Sequence, residues 1–169
     1  MLTMMYLNLI IKNVNFNYQI ISQKNAGKAS AIQAGAKLLK TSHVVILDSV
    51  TPKAVGSGRY IFVNVVPPDV PVDILGNIEK PAISDWDRSH PVMRHVDFSK
   101  VAIESALRIR PLAPGRPLVE AALGGPLVYL VEEPERKAVL IGFDLFKADL
   151  PLRVAFPLIV SNGVRWLHQ

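Results

Sequence analysis
The sequence contains no cysteine. That absence excludes a disulfide framework, a cysteine-ligated zinc site and any thiol nucleophile, and it leaves the cellular compartment open. Long apolar runs are missing too. The charge-free stretches Met1–Ile11 and Val154–Val164 fall well short of the roughly 20 residues a membrane-spanning helix requires, so no span is expected. No basic leader precedes the first stretch and no small-residue cleavage site follows it, so a signal peptide is not expected either. Proline is absent before Pro52, arginine is absent before Arg59, and Asp48 is the first acid in the chain.

What remains is a chain of 169 residues, half of them hydrophobic and a fifth charged. That is enough for one domain with a real core and too apolar for a disordered segment. The net charge is +5, unevenly spread: residues 1–50 carry five Lys against Asp48, residues 51–100 balance six against six, and residues 101–169 carry eight basic against seven acidic groups. No run of Lys and Arg or basic stripe interleaved with aromatics is present, so nucleic acid is not expected as a partner. Eight of the twelve Asn and Gln fall in residues 1–40. The composition thus shifts near residue 42, as if residues 1–42 and 43–169 of one domain had separate origins.

Hydrophobic patterning predicts strands at Tyr6–Ile11 and Tyr18–Ser22, then a helix over Asn25–Lys40 with Ala29, Ile32, Ala36 and Leu39 on one face and Asn25 as its cap. His43–Leu47 is a continuous apolar run of the kind buried in a parallel sheet, ending in Asp48. Further strands are expected at Tyr60–Val66, Val101–Leu107, Leu127–Val131 and Ala138–Phe143, with Pro67 and Pro68 closing the first. Leu152–Leu167 reads as a terminal helix in which Pro157 costs one internal bond. Strands alternating with helices favour a layered α/β domain.

Three groups of residues could carry chemistry. Asn25, Gly27 and Lys28 near a helix start, followed by Asp48, could face a phosphate, although the full phosphate-loop spacing is missing. The plainer account is a surface helix capped by Asn25. The cluster Asp85, Trp86, Asp87, Arg88, His90 and His95 offers carboxylates and imidazoles for a metal or for acid–base work, but at no standard ligand spacing. A turn built by Asp, Ser and Pro91, anchored by the Trp86 ring, explains it as well. Asp144, Lys147 and Asp149 follow a strand, where open α/β sheets bind ligands and where helices also take caps; Asp149 ahead of Pro151 fits a cap. A hydrolase reading lacks a nucleophile, since Ser84, Ser89 and Ser161 sit in no Gly-x-Ser-x-Gly context.

Two resemblances attach to these residues. Residues 14–49, with Asn25, Gly27, Lys28 and Ala31 ahead of a strand ending in Asp48, resemble the start of family-two glycosyltransferases. Gln33 stands where that family has Asn, and Val50 stands where its second metal-binding aspartate belongs. Residues 43–167, through VNVVPPDVP, ISDWDRSHPVMRHVDFSKVAI, GRPLVEA and GPLVYLVEEPERKAVLIGFDLFKADLPLRVAFPLIVSNGVRWL, resemble the region that follows the von Willebrand factor A domain in bacterial BatA-like membrane-anchored proteins. That likeness implies a class I glutamine amidotransferase-like fold, a flavodoxin-like three-layer sandwich with a mostly parallel central sheet. It also implies that the amidotransferase chemistry is missing, in line with the absent cysteine, and it gives His90 ahead of Pro91 a structural role.

The resulting expectation is a non-catalytic interaction or structural domain, a fragment of a membrane-associated assembly with protein partners. Its contacts would be made by loops carrying Asp85, Trp86, Asp87, His90 and Phe146, with no cofactor and no metal. The alternative is a truncated nucleotide-sugar transferase using Asn25, Lys28 and Asp48.

Overall fold
A computed structural model describes residues 44–49, 51–113 and 115–169. The chain divides between His43 and Val44 into two units, and the described residues belong to the second. The predicted strands Tyr6–Ile11 and Tyr18–Ser22 and the helix Asn25–Lys40 lie outside them. So do all five lysines of the amino-terminal region; residues 44–169 hold fourteen basic and fourteen acidic groups and are neutral overall.

The described residues form eight strands and one α-helix in order: β1 (Val44–Asp48), β2 (Gly58–Val63), β3 (Val72–Glu79), β4 (Ile83–Trp86), β5 (Ser105–Pro111), β6 (Gly115–Ala121), β7 (Gly125–Glu132), β8 (Arg136–Ile141) and α1 (Ala155–Leu167). Six strands form one sheet in the order β1-β2-β8-β7-β6-β4, and β3 pairs with β5 in a second, two-stranded sheet. Only β1, β2 and β8 run parallel; β8, β7, β6 and β4 are antiparallel neighbours.

This corrects the expected fold. The described residues are mostly β with a single α-helix, not a flavodoxin-like or amidotransferase-like three-layer α/β sandwich with a mostly parallel sheet. The reason lies in the connections. Three residues join β6 to β7 and three join β7 to β8, and links that short allow only hairpins, because a parallel pair needs a crossover of a dozen residues or more. Gly124 and Gly125, at φ +133° and +86°, make the first turn. The apolar runs misled because β7 and β8 are buried on both faces, as parallel strands usually are.

That double burial defines the core. Phe62, Leu130, Ala138 and Leu140 are fully inaccessible, and Tyr60 stacks on Phe62 with ring centroids 5.4 Å apart. Helix α1 buries Phe156, Ile159, Val160, Trp166 and Leu167, and a Cβ added to Gly163 would sit 3.5 Å from the Val139 side chain, so the helix lies close against β8. The helix begins at Ala155 rather than Leu152. Pro157 therefore falls in the first turn, where its missing N–H has no intrahelical acceptor to lose.

The loop ends are tied by side chains. Asp69 accepts from the N–H groups of Val55 (3.0 Å) and Gly56 (2.9 Å) and pairs with Arg136 (2.8 Å). Burial alone would raise the Asp69 pKa, but those N–H donors and the guanidinium outweigh it and hold the carboxyl below its ordinary range. Asp149 precedes a 3-10 turn, Leu150–Leu152, without a side-chain capping bond. Its carboxylate binds the Ala102 N–H at 2.8 Å and the Arg153 guanidinium instead.

Candidate functional site
Strand β4 is an edge of the large sheet, paired only with β6 among the described residues, Asp85 opposite Glu120 and Trp86 opposite Val119. The chain then turns away from the sheet. Asp87 Oδ1 accepts from the Ser89 N–H (3.0 Å) and hydroxyl (2.6 Å), the local closure that Asp and Ser favour in turns. Arg116 of β6 donates to Asp87 Oδ2 at 2.6 Å. The Ser89 hydroxyl first, and Arg116 behind it, hold the Asp87 carboxyl below its ordinary pKa.

The two imidazoles part company. His90 is buried, and its Nδ1 accepts the Val92 N–H at 3.2 Å to start the 3-10 turn Pro91–Met93. Burial, aided by the Arg116 charge, lowers its pKa, and acceptance at Nδ1 requires the neutral ring. Trp166 of α1 meets His90 edge-on at 5.7 Å, and Asn162 Nδ2 donates to the carbonyls of Val92 (3.1 Å) and Arg94 (2.9 Å). The helix thus fixes this loop from below. His95 is exposed at φ +61°. Among the described residues, no group of three or more His, Asp and Glu side chains could hold a metal ion.

Beside the turn opens a cavity of about 430 Å³, lined by Trp86, Arg88, Asp85, Glu120, Pro117 and Leu118 together with Asp87 and Ser89. The Arg88 guanidinium stands 4.2 Å from the centroid of the Trp86 ring. The Trp86 indole N–H is buried and meets no acceptor among the described residues, an arrangement native proteins mostly avoid. Asp85 Oδ1 accepts the Trp86 backbone N–H at 2.8 Å. That bond and the irregular register between Ile83 and Asp85 blunt the β4 edge against strand addition. Recognition at this place therefore falls to side chains in the cavity rather than to main-chain pairing.

Phe146 lies elsewhere. Asp144 caps a 3-10 turn, Leu145–Lys147, by accepting the Phe146 N–H at 2.8 Å, and the Phe146 ring is 60% exposed. This turn follows β8, which stands three strands from β4, about 14 Å at the usual strand spacing. The structure thus keeps Trp86 and Phe146 apart. A smaller polar crevice of about 220 Å³ adjoins the same end of β8, lined by Asn64, Asn77, Ser105, Asp144 and Lys147. Asp48, at the end of β1, accepts from the Ser49 hydroxyl at 3.1 Å. Asn25, Gly27 and Lys28 lie outside the described residues, so the transferase set is not assembled there.

No family model matches the chain. No curated protein matches it either. Similar solved structures are cytoplasmic protein STM3548 from Salmonella typhimurium, with TM-score 0.54 and 13% identity over 66% of this chain and 55% of that one, and cytoplasmic protein STM1381 from Salmonella typhimurium LT2, with TM-score 0.52 and 12% identity over 67% and 56%. Exo-beta-1,4-mannosidase Op5Man5 from Opitutaceae bacterium strain TAV5 aligns more loosely, at TM-score 0.45 and 15% identity over 72% of this chain and 25% of that one, and carries no argument. The chain spans about half the length of the two Salmonella proteins, and the likeness to them is one of fold alone.

Sequence reasoning missed the β6 side of the cavity. Arg116, Pro117, Leu118 and Glu120 are about thirty residues from Asp87 in the chain and reach it only through the β4–β6 pairing. The sequence offers little signal there: Arg116, Leu118 and Glu120, two residues apart, do not share a polarity, and Pro117 hides the strand.

Proposed function
We propose that residues 44–169 form a non-catalytic protein-interaction domain whose docking surface is the cavity beside Trp86. The observation that carries this reading is the open, aromatic-walled cavity on a sheet edge, next to an indole donor without an acceptor among the described residues. Two of the ionisable groups near it serve the fold: Asp87 binds Ser89 and Arg116, and His90 binds the Val92 N–H. Tryptophan in such a pocket is a common energetic anchor of interfaces. The setting proposed, a membrane-associated assembly with protein partners, comes from the resemblance to BatA-like proteins, whose implied fold the described residues do not show. The transferase alternative has no observation in its favour among the described residues.

Capture from bacterial lysate by the wild-type chain, Trp86→Ala and Phe146→Ala tests this. Loss of a buried tryptophan anchor is worth about 2 kcal/mol or more, or roughly 30-fold in affinity. The Trp86 variant should therefore lose a discrete partner that the Phe146 variant retains. Equal capture by all three proteins, at unchanged melting temperature, would count against the proposal.

A further inference from the structure
The cavity is already occupied in part by the chain itself, and its occupant indicates what it recognises. The Arg88 guanidinium, on an exposed residue, stands 4.2 Å from the Trp86 ring centroid, the geometry in which a ring face attracts a cation. Around it the charge is of the other sign. Asp87 is neutralised by Arg116, but Asp85 and Glu120 carry no salt bridge among the described residues and occupy directly opposed positions on β4 and β6. Like charges set opposite one another across a strand pair destabilise it, so a cation placed between them relieves the pair. Pro117 and Leu118 add apolar wall for the methylene stem of a long basic side chain.

We infer that the Trp86 cavity binds an arginine side chain presented by a partner protein, and that Arg88 is an internal stand-in that the partner's arginine displaces. This rests on the interaction reading above and gives it a chemistry: a segment carrying arginine, held by the Trp86 face and the carboxylates of Asp85 and Glu120. Residues 44–169, which carry the cavity, have no net charge of their own to repel a cation, although the whole chain is +5. Arginine suits the site better than lysine, because its planar, weakly hydrated guanidinium stacks on a ring and donates to two carboxylates at once. Arg88 competes for the same ring, so the free protein is held partly closed.

The test titrates the full chain with three synthetic peptides of identical Gly/Ser sequence carrying one central arginine, citrulline or glutamate. The readout is the Trp86 indole N–H resonance, separated from Trp166 by assignment. The arginine peptide should shift that resonance saturably, and the citrulline peptide, which keeps the shape without the charge, should bind at least tenfold more weakly. Arg88→Ala should tighten arginine-peptide binding about two- to fivefold, the scale of one exposed cation–π contact. Glu120→Gln should weaken it and flatten its salt dependence. Equal binding of arginine and citrulline peptides, or weaker binding by Arg88→Ala, overturns the inference. Trp86→Phe keeps an aromatic wall should Trp86→Ala fail to fold. A partner lost by Trp86→Ala in the capture experiment, alongside peptides that do not bind, would sink the arginine chemistry and leave the interaction reading standing. Failure of both removes both.

Discussion

Phe62→Ala should lower the unfolding free energy by about 3–5 kcal/mol, seen as a large fall in the urea midpoint. Phe62 is fully inaccessible near the end of β2, a strand flanked by β1 and β8, and stacks on Tyr60. Removing the ring leaves a cavity lined by strands that cannot close over it without breaking their register with β1 and β8. For a domain of this size such a loss is a large share of the total stability. Leu123→Ala is the matched control: the side chain is 83% exposed at the β6–β7 turn, and its loss should stay within about 0.5 kcal/mol. A fall below 1 kcal/mol for Phe62→Ala would show that the core does not centre on β2.

The second large effect is expected from Arg136. Its side chain is 11% exposed and pairs with both Asp69 and Glu133. Arg136→Ala leaves two carboxylates without their cation and frees the Asp69 contact that pins Val55 and Gly56, so we expect a loss of about 3 kcal/mol at neutral pH. The pH dependence follows from the direction of the Asp69 shift. Its folded-state pKa lies below the unfolded value, so the stabilisation is present above the ordinary carboxylate pKa and is lost as pH falls through the folded one. In the variant the depression shrinks, and the acid limb of stability against pH should be shallower than in wild type. Identical acid limbs would show that the guanidinium does not set the Asp69 titration.

Legibility in the sequence followed local regularity. Strands β1, β2, β7 and β8 fall on apolar runs and helix α1 on an apolar face of helical period, and all are readable to within a few residues. Strands β3 and β6 are not. Gly76, at φ +123°, sits where the β3–β5 register breaks, and Pro117 interrupts β6 at its own register shift, so each strand reads as a loop. Strand β5 was expected at Val101–Leu107 and starts at Ser105, because Glu104 and Ala102 bond instead to Lys147 and Asp149. Direction was harder still, since burial on both faces erases the alternation that marks antiparallel strands. At the site, the local turn of Asp87 and Ser89 is a short-range event and could be read from spacing. The cavity could not, because three of its eight lining residues, Pro117, Leu118 and Glu120, come from β6.

If partners meet this protein at the β4 edge, photo-crosslinking from single positions reveals it most directly. A photoactivatable residue placed at the exposed Ser84 of β4 should form a discrete adduct in bacterial lysate that Trp86→Ala removes. The same residue at Leu152, 78% exposed in the turn before α1, should not form that adduct. Adducts of equal yield from both positions, or a Ser84 adduct untouched by Trp86→Ala in a folded protein, would contradict the account.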